Sequence, residues 1–333
     1  MGIARQVGLI ITAAAIGGMT VLVEPERAIQ AESPAVNDGV QRIEAVVHSA
    51  ILNAQLHPYN PGGRLDQGYR PPTEVFHSRL RLSPDARIGG DNRIASPANE
   101  WPYSTVGIVS TESGGCTGTL VGPDIVLTNA HCLIGDGIAE VATNIRFYPG
   151  ATRGNIPYGE HRAQRVYISP EYLNGQPQYD YGFVMLQSQP GNSVGWLGVQ
   201  WFSPSWLELS DRWDMWGYPT NFVGAPFYFG LQTKNQEPCG GRDMVYGDAM
   251  FSHVCDSGQG SSGSPVIGWF AHPDGVLAPY VVGLNAAEWK GPRDERRMES
   301  CPEYQLGECG NLAVVTNHFL PVLVTLLSLR PAP

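Results

Sequence analysis

The chain has 333 residues, of which 42% are hydrophobic and 16% are charged, and its formal net charge is −10. This length can form two core-forming units or one large one. Because the charge is negative and no stripe of Arg and Lys with interleaved aromatics occurs, nucleic acid and anionic membranes are poor partners. The 40 glycines and 27 prolines, about a fifth of the chain, predict many turns but not disorder.

The N-terminus is typical of an export signal. Arg5 precedes an apolar run from Val7 to Val23, and the next segment, ERAIQA, ends in a small residue. We therefore predict a signal peptide over residues 1–31, cleaved after Ala31. The alternative is an uncleaved membrane anchor, since the run approaches the minimum length of a spanning helix. With cleavage, the protein is expected to be secreted or periplasmic and to have no stable membrane association.

Residues 32–87 differ in character from residues 88–333. A segment with helical periodicity leads into a Pro/Gly-rich stretch of linker type. The apolar stripe of that helix consists of Val40, Ile43, Val47, Ile51 and Ala54. A short helix plus linker after a signal peptide predicts a propeptide, and the alternative is a small structural extension.

From Ile88 onward, short β-branched runs bounded by Gly, Pro, Asn and Asp replace helical periodicity. Residues 88–333 are therefore predicted to be all-β. The composition changes around Gln189–Gly198, which divides the domain into units of about 88–195 and 196–333. The final apolar segment, FLPVLVTLLSL, predicts a C-terminal helix that packs one apolar face.

The six cysteines agree with export. An even number in a secreted chain indicates three disulfides, for which fifteen connectivities exist. Since the cysteines fall into sequence-local pairs, we favour Cys116–Cys132, Cys239–Cys255 and Cys301–Cys309. Zinc is the competing use of cysteine, but it normally takes CxxC or HxxxH spacing, and neither occurs. We predict no metal, and because the sequence has no phosphate loop, we predict no cofactor.

Three polar residues in separate segments have the chemistry of a nucleophilic hydrolase. His131 ends an apolar strand in VLTNAHC, where a disulfide at the next residue would fix the imidazole as a catalytic base requires. Asp180, in PQYDYGFVML, could accept the Nδ1 proton of His131 and set its tautomer. Ser262, in GQGSSGSP, lies in a turn whose backbone N–H groups could bind an oxyanion. The structural alternatives are a histidine that merely follows a strand, an Asp capping a turn, and a flexible Gly/Ser linker.

These segments, in the order His, Asp, Ser, resemble those of the chymotrypsin-like (trypsin-like) serine peptidases over about Ile88 to Leu326. Within that family, CDSGQGSSGSP is similar to the serine segment of the bacterial glutamyl-endopeptidase-like branch. The resemblance implies two perpendicular six-stranded antiparallel β-barrels, with His131, Asp180 and Ser262 as a triad in the cleft between them. It also implies an oxyanion hole made of the N–H groups of Gly260 and Ser262.

Activation departs from the family pattern. Trypsin-type enzymes carry an Asp directly before the serine, which pairs with a freed N-terminal ammonium, but Ser261 stands here. We therefore do not expect that switch. The Arg87–Ile88 bond nevertheless resembles a trypsin-like cleavage site, and its cleavage would remove the propeptide.

Substrate preference is predicted from three residues. Asp256 lies six residues before Ser262, where trypsin-like enzymes place the carboxylate at the base of the specificity pocket, and Glu288 would add negative charge. Together they predict a preference for Arg or Lys at P1. Asn285 stands where glutamyl-specific relatives have a histidine, so glutamate preference loses its expected ligand.

The leading hypothesis is a secreted, monomeric serine endopeptidase that acts on protein or peptide substrates through an acyl-enzyme intermediate. One alternative is a catalytically inactive protease-fold binding or scaffold protein, although a binding module needs none of the three triad residues. Two further alternatives are a glutamyl-specific endopeptidase and a non-peptidase hydrolase such as an esterase.

Overall fold

A computed structural model defines the fold. It describes residues 56–63, 91–134, 140–207, 212–220, 222, 230–290 and 309–329, without the side chains of 288–290 and 309. The predicted signal peptide, most of the predicted propeptide and the predicted Cys301–Cys309 pair lie outside the described residues, and the division into three segments stays a prediction. No helix among the described residues is long and apolar enough to cross a membrane.

The described residues form fifteen strands. In chain order they are β1 Arg93–Ala95, β2 Val106–Thr111, β3 Gly114–Leu120, β4 Ile125–Thr128, β5 Arg146–Pro149, β6 His161–Ile168, β7 Gly182–Leu186, β8 Gly198–Val199, β9 Asp214–Met215, β10 Thr233–Asn235, β11 Gly241–Val245, β12 Met250–His253, β13 Pro265–Ala271, β14 Leu277–Lys290 and β15 Cys309–Val315. The α-helices are α1 Pro170–Leu173, α2 Gly191–Val194, α3 Pro204–Leu207 and α4 Thr316–Ser328.

The first half of the domain is a closed barrel. Its strands have the order β2-β3-β4-β7-β6-β5, and every neighbouring pair is antiparallel. Apolar side chains from all six strands fill the interior, among them Val109, Leu120, Val126, Phe147 and Val184. Short β-branched strands joined by tight turns therefore produce the first of the two barrels that the sequence predicts.

The second half is built on an antiparallel sheet with the order β11-β12-β15-β14-β13-β9. Two features go beyond the sequence prediction. Strand β8 pairs in parallel with β14, and β1 forms a separate ladder with β10. The start of the domain, Arg93–Ala95, thus lies against the second half of the chain. The predicted all-β fold of two antiparallel barrels with a C-terminal helix is confirmed.

The two halves share one apolar core. It contains side chains from both, such as Phe183 from β7 and Leu284 from β14. The predicted C-terminal helix α4 packs into this core with Phe319 and Leu323, which are fully buried. Because these residues are four apart, they lie on one face of the helix. The helix therefore covers the junction of the two barrels.

Two disulfides brace the domain, Cys116–Cys132 and Cys239–Cys255. Both agree with the sequence-local pairing. Cys116 lies on β3 and Cys132 comes directly after His131, so the first disulfide ties the histidine segment to the barrel wall.

Candidate active site

His131 and Asp180 lie at the same edge of the first barrel, next to the ends of two neighbouring strands. Strands β4 and β7 are antiparallel partners, with Thr128 opposite Gly182. His131 begins a 3₁₀ turn three residues after the end of β4, and Asp180 lies two residues before the start of β7. The register of these strands therefore brings together two residues that are 49 positions apart in the chain.

Asp180 holds His131 at two points. Its Oδ2 accepts a 2.6 Å hydrogen bond from the imidazole Nδ1, and its Oδ1 accepts a 2.9 Å bond from the backbone N–H of His131. The side chain of Asp180 is only 8% exposed, whereas that of His131 is 36% exposed. Asn129 adds a third contact, since its amide donates to the Asp180 carbonyl at 2.7 Å. This arrangement fixes the ring and leaves its other nitrogen available for a reacting group.

The surroundings of His131 change its pKa in opposite directions. Burial by itself lowers the pKa of the imidazole, but the hydrogen bond and the negative charge of Asp180 outweigh it and raise the pKa above its ordinary value. Such a pair stabilises the imidazolium that forms when a base accepts a proton.

Ser262 lies in a tight loop with two glycines in the left-handed region. Gly260 has φ +92° and Gly263 has φ +81°, conformations that L side chains rarely adopt. A Cβ on Gly260 would lie 2.6 Å from the Tyr218 carbonyl oxygen. The Gly/Ser run is therefore a rigid loop, and the flexible-linker interpretation does not apply.

The backbone N–H groups of this loop differ in their partners. The N–H groups of Ser261, Gly263 and Ser264 donate to the carbonyls of Gly258, Asn285 and Ser261, respectively. Among the described residues, the N–H groups of Gly260 and Ser262 donate to no backbone carbonyl. An oxyanion hole consists of backbone N–H groups that donate to an oxyanion.

Thr117 connects this loop to the first barrel. Its N–H donates to the Ser262 carbonyl at 2.8 Å, and its Oγ1 donates to the Gly260 carbonyl at 2.9 Å. The same Oγ1 accepts from the Tyr218 N–H at 3.0 Å. Because Thr117 adjoins Cys116, whose disulfide partner is next to His131, a short chain of contacts links the serine loop to the histidine turn.

Asn285, a predicted substrate-binding residue, lies against the same loop. Its Nδ2 donates to the Ser261 carbonyl at 2.9 Å, and its backbone pairs with Gly263 and Ser264. Its Oδ1 lies 3.1 Å from His253 Nε2. Asn285 is 4% exposed, so its side chain braces the loop from within the second barrel.

His253 is fully buried on β12 behind Asn285. Burial lowers the pKa of its imidazole to about 3 and outweighs the bond to Asn285, which acts in the opposite direction. The ring is therefore neutral at physiological pH, and its Nε2 can donate to Asn285 Oδ1. A neutral, inaccessible histidine is suited to holding Asn285 in place.

Asp256 and Glu288, the other predicted substrate-binding residues, lie in different surroundings. Asp256 is 2% exposed, and its Oδ2 accepts a 2.8 Å hydrogen bond from the backbone N–H of Asn92. Next to it, the Arg93 guanidinium donates to the Ser257 carbonyl at 3.2 Å. The side chain of Glu288 lies outside the described residues. The base of the predicted pocket thus contacts the start of the domain.

Sequence reasoning missed two residues that support the site, Thr117, which bonds the serine loop, and Asn129, which bonds Asp180. Thr117 and Asn129 lie close to the cysteine and histidine motifs, but a threonine or asparagine near a strand end carries no signal of its own.

Cys116, His131 and Cys132 lie close enough together to be considered as a metal site in the described part of the chain. Because the disulfide uses both sulfurs, this group lacks the thiolates that zinc requires.

Comparison with known proteins identifies relatives of this fold. The sequence model of the family described as Trypsin matches residues 90–298. The glutamyl endopeptidase of Bacillus licheniformis is 28% identical over 180 residues, 54% of each chain, so the match spans about half of that relative's length. The extracellular metalloprotease of Bacillus subtilis is 27% identical over 253 residues, 73% of this chain and 77% of the relative.

A solved structure shares the fold. A Glu endopeptidase in complex with MPD superposes with a TM-score of 0.56 at 21% identity, covering 73% of this chain and 99% of that one. At this identity the likeness concerns the fold and not the reaction. The two structures share the architecture that, in this chain, positions Asp180, His131 and the serine loop.

Proposed function

Because the chain belongs to the trypsin family of chymotrypsin-like serine peptidases, we propose that it is a serine endopeptidase in which Ser262 is the nucleophile, His131 the general base and Asp180 the residue that orients the base. The observation that carries this proposal is the double hydrogen bond between Asp180 and His131. A carboxylate that binds both the backbone and Nδ1 of one histidine selects the tautomer whose Nε2 accepts a proton.

The reaction results from these roles. Ser262 Oγ attacks the scissile carbonyl carbon while His131 Nε2 takes the hydroxyl proton, and the new O–C bond gives a tetrahedral oxyanion. The C–N bond then breaks as His131 returns the proton to the leaving amine. Water, deprotonated by the same imidazole, hydrolyses the acyl-enzyme and releases the acid.

The N–H groups of Gly260 and Ser262 are proposed to bind the oxyanion. Support comes from the hydrogen bonding of the loop: within the described part of the chain, the neighbouring N–H groups have backbone acceptors, whereas the N–H groups of Gly260 and Ser262 have none. Loss of a single oxyanion donor typically costs about 3 kcal/mol in the transition state. The supports that fix this loop, Thr117 and Asn285, are therefore expected to matter for rate.

For substrate preference, we propose that Arg or Lys is favoured at P1. The support is the buried carboxylate of Asp256 at the predicted base of the pocket. The competing preference, for glutamate, is favoured by the likeness to two proteins that are named as glutamyl endopeptidases. Against it stands Asn285, whose side-chain amide already bonds the serine loop and His253.

A peptide library with varied P1 residues separates these two preferences. Faster cleavage after Arg and Lys, reduced in Asp256→Asn relative to the exposed control Asp274→Asn, supports the proposal. Faster cleavage after Glu, or equal cleavage after acidic, basic and apolar residues, contradicts it.

Export is also part of the proposal. It is supported by the N-terminal sequence of residues 1–31, by the two disulfides and by a relative named as extracellular. N-terminal sequencing of the protein from culture medium or periplasm tests it. A mature chain that begins near Ala31 or Ile88 supports export, and a full-length chain confined to the cytoplasm contradicts it.

A fluorophosphonate probe tests the catalytic proposal. The wild-type chain and the surface control Ser205→Ala are expected to be labelled, and Ser262→Ala is not. Peptide hydrolysis should disappear in the same variant. A processed wild-type chain that takes up no label would favour the inactive scaffold instead.

A further inference from the structure

The segment Leu56–Gly63 precedes the predicted start of the domain, yet it is part of the folded structure. Tyr59 and Trp196 form an antiparallel bridge, in which each N–H donates to the carbonyl of the other at 3.0 Å. Their rings stack with centroids 4.5 Å apart. Trp196 lies between α2 and β8, in the connection between the two halves of the domain.

Three further hydrogen bonds come from other parts of the domain. Trp101 Nε1 donates to the Tyr59 carbonyl at 3.0 Å, and Trp196 Nε1 donates to the His57 carbonyl at 2.9 Å. The Tyr280 hydroxyl lies 2.5 Å from His57 Nδ1. The segment therefore contacts the region before β2, the connection between the halves and strand β14.

Burial supports the same conclusion. Pro58 and Asn60 are buried, and Leu56 packs against the core that the two halves share. Asn60 then closes the segment with a turn, in which its Oδ1 accepts from the Gly62 N–H at 2.9 Å and its carbonyl from the Gly63 N–H at 2.9 Å.

The surface of the domain is shaped for this segment. A Cβ on Gly195 would clash first with the Tyr59 carbonyl, whereas one on Gly198 would clash first with the Tyr280 ring and then lie 2.7 Å from the Pro58 ring. Glycine at position 195 therefore allows the segment to approach the domain backbone closely. None of these contacts involves the triad or the serine loop, so the bound segment does not compete for the catalytic residues.

We propose that Leu56–Gly63 is an anchor that stays bound to the domain after the chain is cut between Gly63 and Asp91. The mature enzyme would then be a noncovalent complex of two chains, and its N-terminal region would not be released. This goes beyond the proposed function. The bond predicted from the sequence to be cut, Arg87–Ile88, lies in this interval, and the anchor is testable without catalysis.

The test uses the full chain with Ser262→Ala, so that it cannot digest itself. A recognition sequence for an unrelated, site-specific protease is inserted after Gly68, and the purified chain is cut there. At about 10 µM protein, both fragments are expected to co-elute in size-exclusion chromatography, which indicates a dissociation constant in the micromolar range or below. Separate elution of the two fragments would overturn the proposal.

Variants within the segment localise the anchor. Tyr59→Pro removes both the N–H donor and the stacked ring, so its fragment should separate after the cut. The matched control, Pro61→Ala, changes an exposed residue of the closing turn and should co-elute like the parent chain. Co-elution of the Tyr59→Pro fragment would contradict the assigned contacts.

A second measurement keeps the test decisive if Tyr59→Pro folds poorly. Hydrogen exchange on the cut complex, with Tyr59 unchanged, directly reports how well the backbone N–H groups of Tyr59 and Trp196 are protected. Slow exchange at both supports the anchor, and exchange as fast as in an unfolded chain overturns it. A failed fluorophosphonate reaction would leave this outcome unaffected, because no step of the test depends on Ser262.

Discussion

The side-chain amide of Asn285 donates a 2.9 Å hydrogen bond to the carbonyl oxygen of Ser261, the residue directly before the proposed nucleophile. Behind it, His253 is buried and bonds the other end of the same amide. Asn285, which the sequence predicts to bind substrate, therefore contacts the serine loop directly.

Asn285→Leu is expected to lower kcat/KM by about tenfold to a hundredfold, mainly through kcat. The apolar side chain leaves the Ser261 carbonyl without its donor, and an unsatisfied buried group costs about 1–3 kcal/mol. Steady-state kinetics with one good peptide substrate provides the measurement. Asn192→Leu, at an exposed position on α2, is the control and should retain wild-type kinetics. An unchanged kcat in Asn285→Leu would remove its proposed role.

Asp180→Asn should reduce kcat by about 10⁴-fold while the protein stays folded. Unlike a carboxylate, the asparagine amide can donate an N–H to Nδ1, so the tautomer of His131 with an unprotonated Nε2 is no longer favoured. The control is Asp274→Asn, because Asp274 also lies 2.6 Å from a histidine Nδ1 but on an exposed turn. If both variants lose activity alike, or neither does, the assignment of Asp180 is wrong.

The pH dependence of His131 is set by its raised pKa. Asp180 favours the protonated ring more than burial disfavours it, so the stabilising effect of this pair is present at low pH and is lost as the pH rises through the raised pKa. Activity needs the neutral ring and should therefore appear above that pKa. NMR titration of the imidazole in Ser262→Ala should give a pKa above the ordinary histidine value of 6.5, and adding Asp180→Asn should lower it. A titration that Asp180→Asn leaves unmoved would contradict this account.

Gly263→Ala should impair both stability and catalysis. Its φ of +81° strains any L residue by about 1–2 kcal/mol, and a Cβ there would also clash with the Thr117 carbonyl. Gly154→Ala is the matched control, with φ +84° and nothing within 4 Å of a Cβ. The control should lose about 2–4 °C in Tm and keep its activity. Gly263→Ala should lose more in Tm and at least about a hundredfold in kcat/KM, since the oxyanion donors move. Equal effects of the two substitutions would contradict the close fit of the loop.

Binding of the anchor segment should weaken in acid. Burial, and then the nearby His272, lower the pKa of His57, so the bound segment favours the neutral ring. Affinity is therefore full above about pH 6.5 and falls as the pH drops below that value. The other titratable groups around this ring in the described residues are the Tyr280 hydroxyl and Asp274, which pairs with His272.

The complex cut after Gly68 provides the measurement for this prediction. Its fragments should co-elute at about pH 7.5 and separate to a larger extent at about pH 5, on either side of the ordinary histidine pKa. His57→Phe should reduce the difference between the two conditions. A complex equally stable at both pH values would contradict the role of His57.

Much of the fold was predictable from local patterns. The strands around the cysteine and histidine motifs, the C-terminal helix and the Cys116–Cys132 pair arise from short-range signals such as β-branched runs, turn residues and spacing. The parallel pairing of β8 with β14 and the ladder of β1 with β10 were not predictable. Both join segments that are distant in the chain, and their short sequences carry no record of the partner.

The sequence by itself determined that His131, Asp180 and Ser262 are the residues to consider, because motif chemistry and chain order are local properties. Only the tertiary structure decided what holds them. The register of β4 and β7 brings Asp180 to His131, and Thr117 and Asn285 support the serine loop from opposite halves of the domain. It also placed Leu56–Gly63, within the predicted propeptide, on the folded domain. The physical reason is that hydrogen bonds and burial depend on neighbours in space, and those neighbours are distant in the chain.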